Sequence, residues 1–213
     1  MNNVKDELRI TNYELQIGII LLAAGESRRF QNNPKQLLKF KGKTLIRHSA
    51  ETALASVCSP VCVVLGAKSD EIQAEIDDLP IEIAINENWQ NGMSSSLKIG
   101  LKKLLEIVPN LSAVVVQLCD QPFINSNILN HLAETYQKTN APIVASAYAE
   151  TLGVPALFSR SIFAELLNLS AQNGAKQIIK NHLALVETIS IPEAEIDIDT
   201  TEDYEKINQL TSQ

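Results

Sequence analysis

The amino-acid sequence predicts an α/β fold, a single domain built on a doubly wound, mostly parallel sheet. Three observations lead there. Short runs of consecutive apolar residues recur along the chain, the pattern of strands covered on both faces. Longer amphipathic stretches separate them, so strand alternates with helix and parallel pairing through crossovers is favoured. No internal repeat, low-complexity tract or Pro/Gly-rich linker divides the 213 residues, a length that suits one large α/β domain with a buried core.

Taken in order, residues 1–16 are polar and mix acids with bases; they read as an extension ahead of a domain spanning 17–213. The run 17–23 (Ile-Gly-Ile-Ile-Leu-Leu-Ala) is the first expected strand, followed by 61–65, 81–85, 113–118 and 142–146. Helices are expected over 44–57, 69–78, 94–107, 125–138, 160–168, 174–183 and 201–210. In sheets of this kind ligands sit beyond the carboxyl ends of the strands. Residues just after 17–23 and just after 113–118 should therefore line one crevice.

Composition narrows the function. Hydrophobic residues make up 45% and charged ones 20%, an ordinary globular balance. A net charge of −7 argues against a nucleic-acid binder, whose phosphate contacts need a basic face. It is compatible with a nucleotide enzyme, because a few placed cations suffice for one triphosphate and carboxylates hold Mg²⁺. Cys58, Cys62 and Cys119 cannot close a disulfide framework, and no histidine pair completes a zinc site. They read as small hydrophobes in or beside strands, in keeping with a reducing, cytoplasmic setting. The longest apolar run, 17–24, is too short for a membrane span and ends in a site-like turn, so neither a span nor a signal peptide is expected.

After the first strand, Leu22, Ala23, Ala24 and Gly25 are small enough at 23–25 for backbone N–H groups to approach a phosphate. Arg28 and Arg29 offer fork-shaped donors and Lys35 a point charge. By composition alone the segment also suits a solvated basic loop. It holds neither G-x-G-x-x-G nor G-x-x-x-x-G-K-[ST], which counts against a dinucleotide dehydrogenase and a P-loop kinase. Asp120, in Cys119-Asp120-Gln121-Pro122, falls at the crevice rim as a hard oxygen ligand for Mg²⁺, or as a turn or cap residue before the helix near 125. Acids at 193, 195, 197 and 199 alternate with Ala and Ile, so a strand here would put the carboxylates on one face. Thr200 or Thr201 can cap the last helix. Gly92, Met93, Ser94, Ser95 and Ser96 join a strand to a helix, as caps or as hydroxyls facing the crevice. His48, His131 and His182 receive no role.

These segments together resemble the nucleotidyltransferase superfamily, and within it the molybdenum-cofactor cytidylyltransferases, relatives of the guanylyltransferases acting on the same cofactor. Leu22-Ala23-Ala24-Gly25-x-Ser27-x-Arg29-Phe30, then Pro34-Lys35-Gln36-Leu37-Leu38, is similar to the family's L-A-A-G-x-S-x-R-M-G-x-x-K, with Phe30 and Gln31 replacing Met and Gly. Asn86-Glu87-Asn88-Trp89-Gln90-Asn91-Gly92-Met93-Ser94-Ser95-Ser96-Leu97 is similar, nearly letter for letter, to the family's N-x-W-x-x-G-M-x-S-S-L. Asp120-Gln121-Pro122 matches the family's metal-binding D-Q-P, and Asp197 to Asp203 its D-x-D-T-P-E-D, with Thr201 for proline. Gly153-Val154-Pro155 matches a G-x-P turn whose middle residue is often His, and Gly174-Ala175-Lys176 a G-A-[RK] helix start.

The resemblance covers 17 to about 208 and implies a Rossmann-like fold of the nucleotide-diphospho-sugar transferase type. It implies that Leu22, Ala23, Ala24, Gly25, Arg29, Lys35, Ser94 and Ser95 bind nucleotide, with Arg29, Lys35 and Asp120 catalytic. Gly92, Met93, Gly153 and Pro155 would meet the acceptor. Asp120 and Asp199 would hold Mg²⁺, with Asp197 as the alternative to Asp199. The expected substrates are an NTP, CTP by preference, and a molybdopterin-type or other phosphorylated acceptor, with a molybdoenzyme as recipient and neither nucleic acid nor membrane as partner. A non-catalytic cofactor carrier and transfer from GTP remain the competing readings.

Overall fold

A computed structural model of the chain describes residues 15–30, 33–171 and 173–211. The expected extension therefore lies almost wholly outside the described residues. The pairing of the first strand begins at Gln16, whose carbonyl accepts from the Ser112 N–H at 2.8 Å.

The first half of the chain runs β1 (Ile17–Leu22), β2 (Lys39–Phe40), β3 (Lys43–Thr44), α1 (Leu45–Leu54), β4 (Val61–Leu65), α2 (Ser69–Gln73), β5 (Glu82–Ile85) and α3 (Met93–Ile107). Then follow β6 (Ala113–Leu118), α4 (Ser126–Thr139), β7 (Ile143–Tyr148), β8 (Thr151–Ser159), α5 (Phe163–Asn168), α6 (Ala175–Asn181), β9 (Val186–Ser190) and α7 (Thr201–Thr211). The main sheet has seven strands in the order β5-β4-β1-β6-β8-β7-β9. All its pairings are parallel except those of β8, which runs antiparallel to both neighbours. This is the Rossmann-like, mostly parallel sheet the sequence predicts.

Alternation along the strands explains the two covering layers. In β1, Ile19 and Leu21 point to the side covered by α1 and α4, while Ile20 and Leu22 point to the side covered by α3, α5 and α6. Burying each such side chain stabilises the fold by about 1.5–3 kcal/mol relative to exposure. Helix α3 crosses close over the sheet at Gly100: a Cβ there would sit 2.6 Å from Ile20 Cγ2 and 2.8 Å from Val64 Cγ2.

Topology then dictates where a ligand can go. From β1 the chain moves to β4 and β5 on one side, then returns through α3 to β6 on the other. The order reverses between β1 and β6, and a crevice opens beyond their carboxyl ends.

Two local expectations are corrected. The segment 153–158 is no turn but part of the nine-residue strand β8; the hairpin tip lies earlier, at Ala149 and Glu150, both with positive φ (43° and 56°). Neither is a usual left-handed residue, so the tip carried no Gly or Asn signal. The alternating acids at 193–199 form no strand: Pro192–Glu195 is a short 3₁₀ turn, and an extended passage follows. Alternation still buries Ala194 and Ile198, but against β7 and the core rather than in a ladder. Finally, β9 has no counterpart in the sequence reading, because Val186 and Ile189 are its only apolar residues.

Candidate active site

The crevice beyond β1 and β6 is a cavity of about 510 Å³ lined by residues 22–28, Lys35, Gln36, Trp89, Gln90, Gly92, Met93, Ser96, 118–120 and Asp199. Its floor is the turn after β1. Gly25 lines it, and a Cβ added there would meet nothing of the protein within 4 Å. No internal packing demands glycine at that point, so the open space belongs to the cavity. Beneath the same turn Gly66 is crowded: its Cβ would fall 2.7 Å from the Ala24 carbonyl oxygen and 2.8 Å from Trp89 Cβ.

Gln36 holds this turn in shape. Its side chain is buried, and Nε2 donates to the carbonyls of Ala23 (2.8 Å) and Gly25 (2.9 Å), while Oε1 accepts from the Ser27 hydroxyl. The Lys35 N–H closes the clamp onto Ser27 Oγ at 2.9 Å. In a trans peptide N–H and C=O point opposite ways, so the Ala24 and Glu26 N–H groups are directed away from Gln36. Sequence reasoning quoted Gln36 within a motif without giving it a role; its partners lie 11 and 13 residues back and meet it only through folding.

Lys35 Nζ lies 2.6 Å from Asp120 Oδ2, 2.9 Å from Asp199 Oδ1 and 3.0 Å from the Ile198 carbonyl. Burial works against the Lys35 charge, but the two carboxylates outweigh it and hold the ammonium above its ordinary pKa. Asp199 reaches this point because Ile198, fully buried, donates its N–H to the Asp120 carbonyl at 2.9 Å. Just beyond, Thr200 and Asp203 bond reciprocally, Thr200 Oγ1 to Asp203 Oδ2 at 2.8 Å and the Asp203 N–H to Thr200 Oγ1 at 3.2 Å, which starts α7 without the family's proline. Asp197 is exposed on this passage; partial desolvation of its carboxyl, then the neighbouring Asp199 and Asp120, raise its pKa.

The end of β6 is unusual in its polar groups. Among the described residues, the buried side-chain nitrogen and oxygen atoms without a hydrogen-bond partner are both amide atoms of Gln117, Asp120 Oδ1 and Gln121 Oε1. Leaving such atoms unmatched costs about 1–3 kcal/mol each. A hard divalent cation fits Asp120 Oδ1. No group of three or more His, Cys, Asp or Glu assembles among the described residues, so protein would supply two carboxylates and phosphate and water the rest, the usual manner of Mg²⁺.

The other expected residues divide. Leu22, Ala23, Ala24, Gly25, Gly92 and Met93 line the cavity. Arg29 is outside the lining, largely exposed, with its guanidinium 4.0 Å from Asp199; Arg28 lines the cavity instead, paired with Glu26. Of the three serines at 94–96, Ser96 is in the lining; Ser94 is buried outside it, and Ser95 Oγ donates to the Gly92 carbonyl and accepts from Asn86. The buried Asn86 amide organises this wall: Nδ2 donates to both Ser95 and Ser96, and Oδ1 accepts from the Asn88 N–H. Gly92 has φ +89°, a left-handed value that favours glycine. Gly153 and Pro155 are also outside the lining. Between them the Val154 carbonyl accepts from Nε2 of Gln121, the residue after Asp120, and Gly153 leaves room for the Tyr148 hydroxyl, 2.3 Å from where a Cβ would stand. Cys58, Cys62 and Cys119 are buried and free, their thiols pushed up by burial to about 11, 12 and 12.

Comparison with known proteins gives the family. The model of the MobA-like NTP transferase domain matches residues 19–186. The chain belongs to that family. As a family member it is a nucleotidyltransferase by enzyme class. It is 29% identical to nicotine blue oxidoreductase of Paenarthrobacter nicotinovorans, over 90% of this chain and 93% of that one. Of several bifunctional GlmU proteins it spans only 27% to 36% of their length. Rv0371c from Mycobacterium tuberculosis H37Rv superimposes with a TM-score of 0.80 at 25% identity, covering 91% of this chain and 97% of that one, and the same protein is known in complex with manganese. Molybdopterin-guanine dinucleotide biosynthesis protein A from Archaeoglobus fulgidus shares the fold, with a TM-score of 0.66 at 17% identity over 92% of this chain and 98% of that one. No described helix is long and apolar enough to cross a membrane.

Proposed function

We propose that the chain is a Mg²⁺-dependent cytidylyltransferase that moves CMP from CTP onto a molybdopterin-type acceptor and releases pyrophosphate. One observation carries the reading: two acids and a lysine, 85 and 164 residues apart in sequence, meet at the rim of a cavity floored by a glycine turn. The acceptor phosphate oxygen attacks the α-phosphorus in line, and the bond to pyrophosphate breaks as the new P–O bond forms. The turn at 23–25 orients the triphosphate with its backbone N–H groups. Lys35 neutralises charge growing on the leaving pyrophosphate, and Arg29, outside the lining and 4.0 Å from Asp199, is the second cation of the reading, to be brought in by the bound triphosphate. Asp120 and Asp199 hold the metal, which supplies charge neutralisation and polarises phosphoryl oxygen when bound. No protein nucleophile is needed, since positioning carries such a transfer.

The manganese complex of the mycobacterial neighbour supports a divalent metal, and the guanine-dinucleotide neighbour supports a pterin-type acceptor. CTP rests on the motif resemblance, and a molybdoenzyme in the cytoplasm is the recipient on this reading. The test is pyrophosphate release across CTP, GTP, ATP and UTP with Mg²⁺ and purified molybdopterin cofactor. Release with CTP alone is expected. Release only with another NTP or with a sugar phosphate or methylerythritol phosphate would replace the substrate assignment, and tight nucleotide binding without turnover would favour the carrier.

One observation favours a second reading: a relative matching along nearly the whole chain bears an oxidoreductase name. On that reading the cavity holds a nicotinamide nucleotide. NADH or NADPH should then bind and CTP should not.

A further inference from the structure

An ammonium group has three N–H donors and no acceptor. At Lys35 all three are in use within the protein, on Asp120 Oδ2, Asp199 Oδ1 and the Ile198 carbonyl. None is left for a phosphate oxygen, although the transfer reading requires this cation on the triphosphate. The ammonium also stands between the two carboxylates that would hold the metal, while the other Asp120 oxygen is buried without a partner. Both ligands of the reaction therefore meet the same obstacle, and each removes it for the other. Two carboxylates and one ammonium leave a net charge of −1. A divalent ion on the two acids cancels their charge and with it the attraction holding Lys35, and a triphosphate then offers the released ammonium new acceptors.

We propose that Lys35 is an exchangeable cation: in the free protein it occupies the metal's place between Asp120 and Asp199, and it crosses to the triphosphate when metal and nucleotide enter together. The inference rests on the nucleotidyl-transfer reading. Its consequence is that the free protein binds divalent metal poorly, and that metal and nucleotide each tighten the other by the same factor, as linkage requires. The arrangement excludes a metal bound ahead of substrate, and so admits the two as a complex.

Mn²⁺ binding to the whole chain tests this without any turnover, read by water-proton relaxation, which is strongly enhanced only when Mn²⁺ tumbles with the protein. Wild type with Mn²⁺ alone should bind weakly. Lys35→Met, which keeps the length and removes the charge, should bind Mn²⁺ alone about tenfold tighter or more. Lys35→Arg should stay near wild type, and Lys35→Met with Asp120→Asn should lose the gain. Wild type with CTP should capture Mn²⁺ about tenfold tighter than wild type without it. A folded Lys35→Met that binds Mn²⁺ no tighter than wild type overturns the exchange. A tight Lys35→Met complex with no CTP effect in wild type supports the cation's place between the acids and counts against CTP transfer.

Discussion

The two oxygens of Asp120 have different surroundings: Oδ2 accepts from Lys35, and Oδ1 is buried with no partner. While Lys35 keeps Oδ2 only Oδ1 is unengaged, and a carboxylate with an unmatched buried oxygen should be missed in chemistry more than in folding. Asp120→Ala and Lys35→Ala should each lower turnover on the order of a thousandfold, measured as pyrophosphate release, with the circular dichroism spectrum retained. Near-normal rates would take that residue out of the mechanism. Gln36 acts one step back. Gln36→Ala leaves the Ala23 and Gly25 carbonyls without their donor, so it should cost about 1–3 kcal/mol of stability and raise the KM for nucleotide more than it lowers kcat. An unchanged KM would limit Gln36 to a structural part. Asp120 was readable because a charged residue at the end of an apolar run stands out. Gln36 was not, because an amide's meaning lies wholly in what it touches.

Elements deliver these side chains with unequal certainty. Helix α7 begins with a reciprocal Thr200–Asp203 bond that needs only residues adjacent in sequence, so its start was legible despite the absent proline. The passage before it was not, since alternating acids and apolar residues suit a strand as well as the extended run that buries Ile198. That run anchors Asp199, and Ile198→Ala should cost about 2–5 kcal/mol and lower turnover beyond the loss of folded protein. A parallel fall of both in melting and activity assays, with full activity per folded molecule, would separate the anchor from the site. Helix α3 gives a second case. Gly100→Val should destabilise the domain by about 1–3 kcal/mol in denaturant titration, because β-branched Ile20 and Val64 beneath it cannot turn away. Helical periodicity located α3 to within a residue, but nothing in it says which glycine faces the sheet closely.

Across the whole molecule, α1 is tied to the β6–α4 connection at His48, whose Nε2 lies 2.9 Å from the Pro122 carbonyl and whose ring packs edge-on to Phe40. Burial, partly offset by the Pro122 hydrogen bond, pushes its pKa below the ordinary 6.5. The fold favours the neutral ring. As pH falls through 6.5 the unfolded chain takes up a proton first, so this contribution is intact above 6.5, declines toward the folded pKa and is level below it. Melting temperatures of wild type should fall across that window relative to their own neutral-pH value, and those of His48→Gln should fall less; equal slopes would remove His48 as the cause. Strand count and chain order also belong to this scale. Five apolar runs announced the parallel core from β1 to β6 and β7, while β8, carrying Gly153 and Pro155, and β9, mostly polar, became strands through the neighbours they pair with.

By itself the sequence determined whatever depends on neighbours along the chain: apolar runs, helical periodicity, the glycine turn, the capped start of α7 and the motif strings of the family. Only the tertiary structure decided that Lys35 lies between Asp120 and Asp199, that Gln36 clamps the turn, that Ser96 rather than Ser94 or Ser95 faces the cavity, and that Arg28 lines it while Arg29 does not. The reason is range. Backbone preference and amphipathic period act over a few residues, whereas a hydrogen bond or an ion pair acts over about 3 Å of space, and which distant side chains come that close is set by strand order and packing.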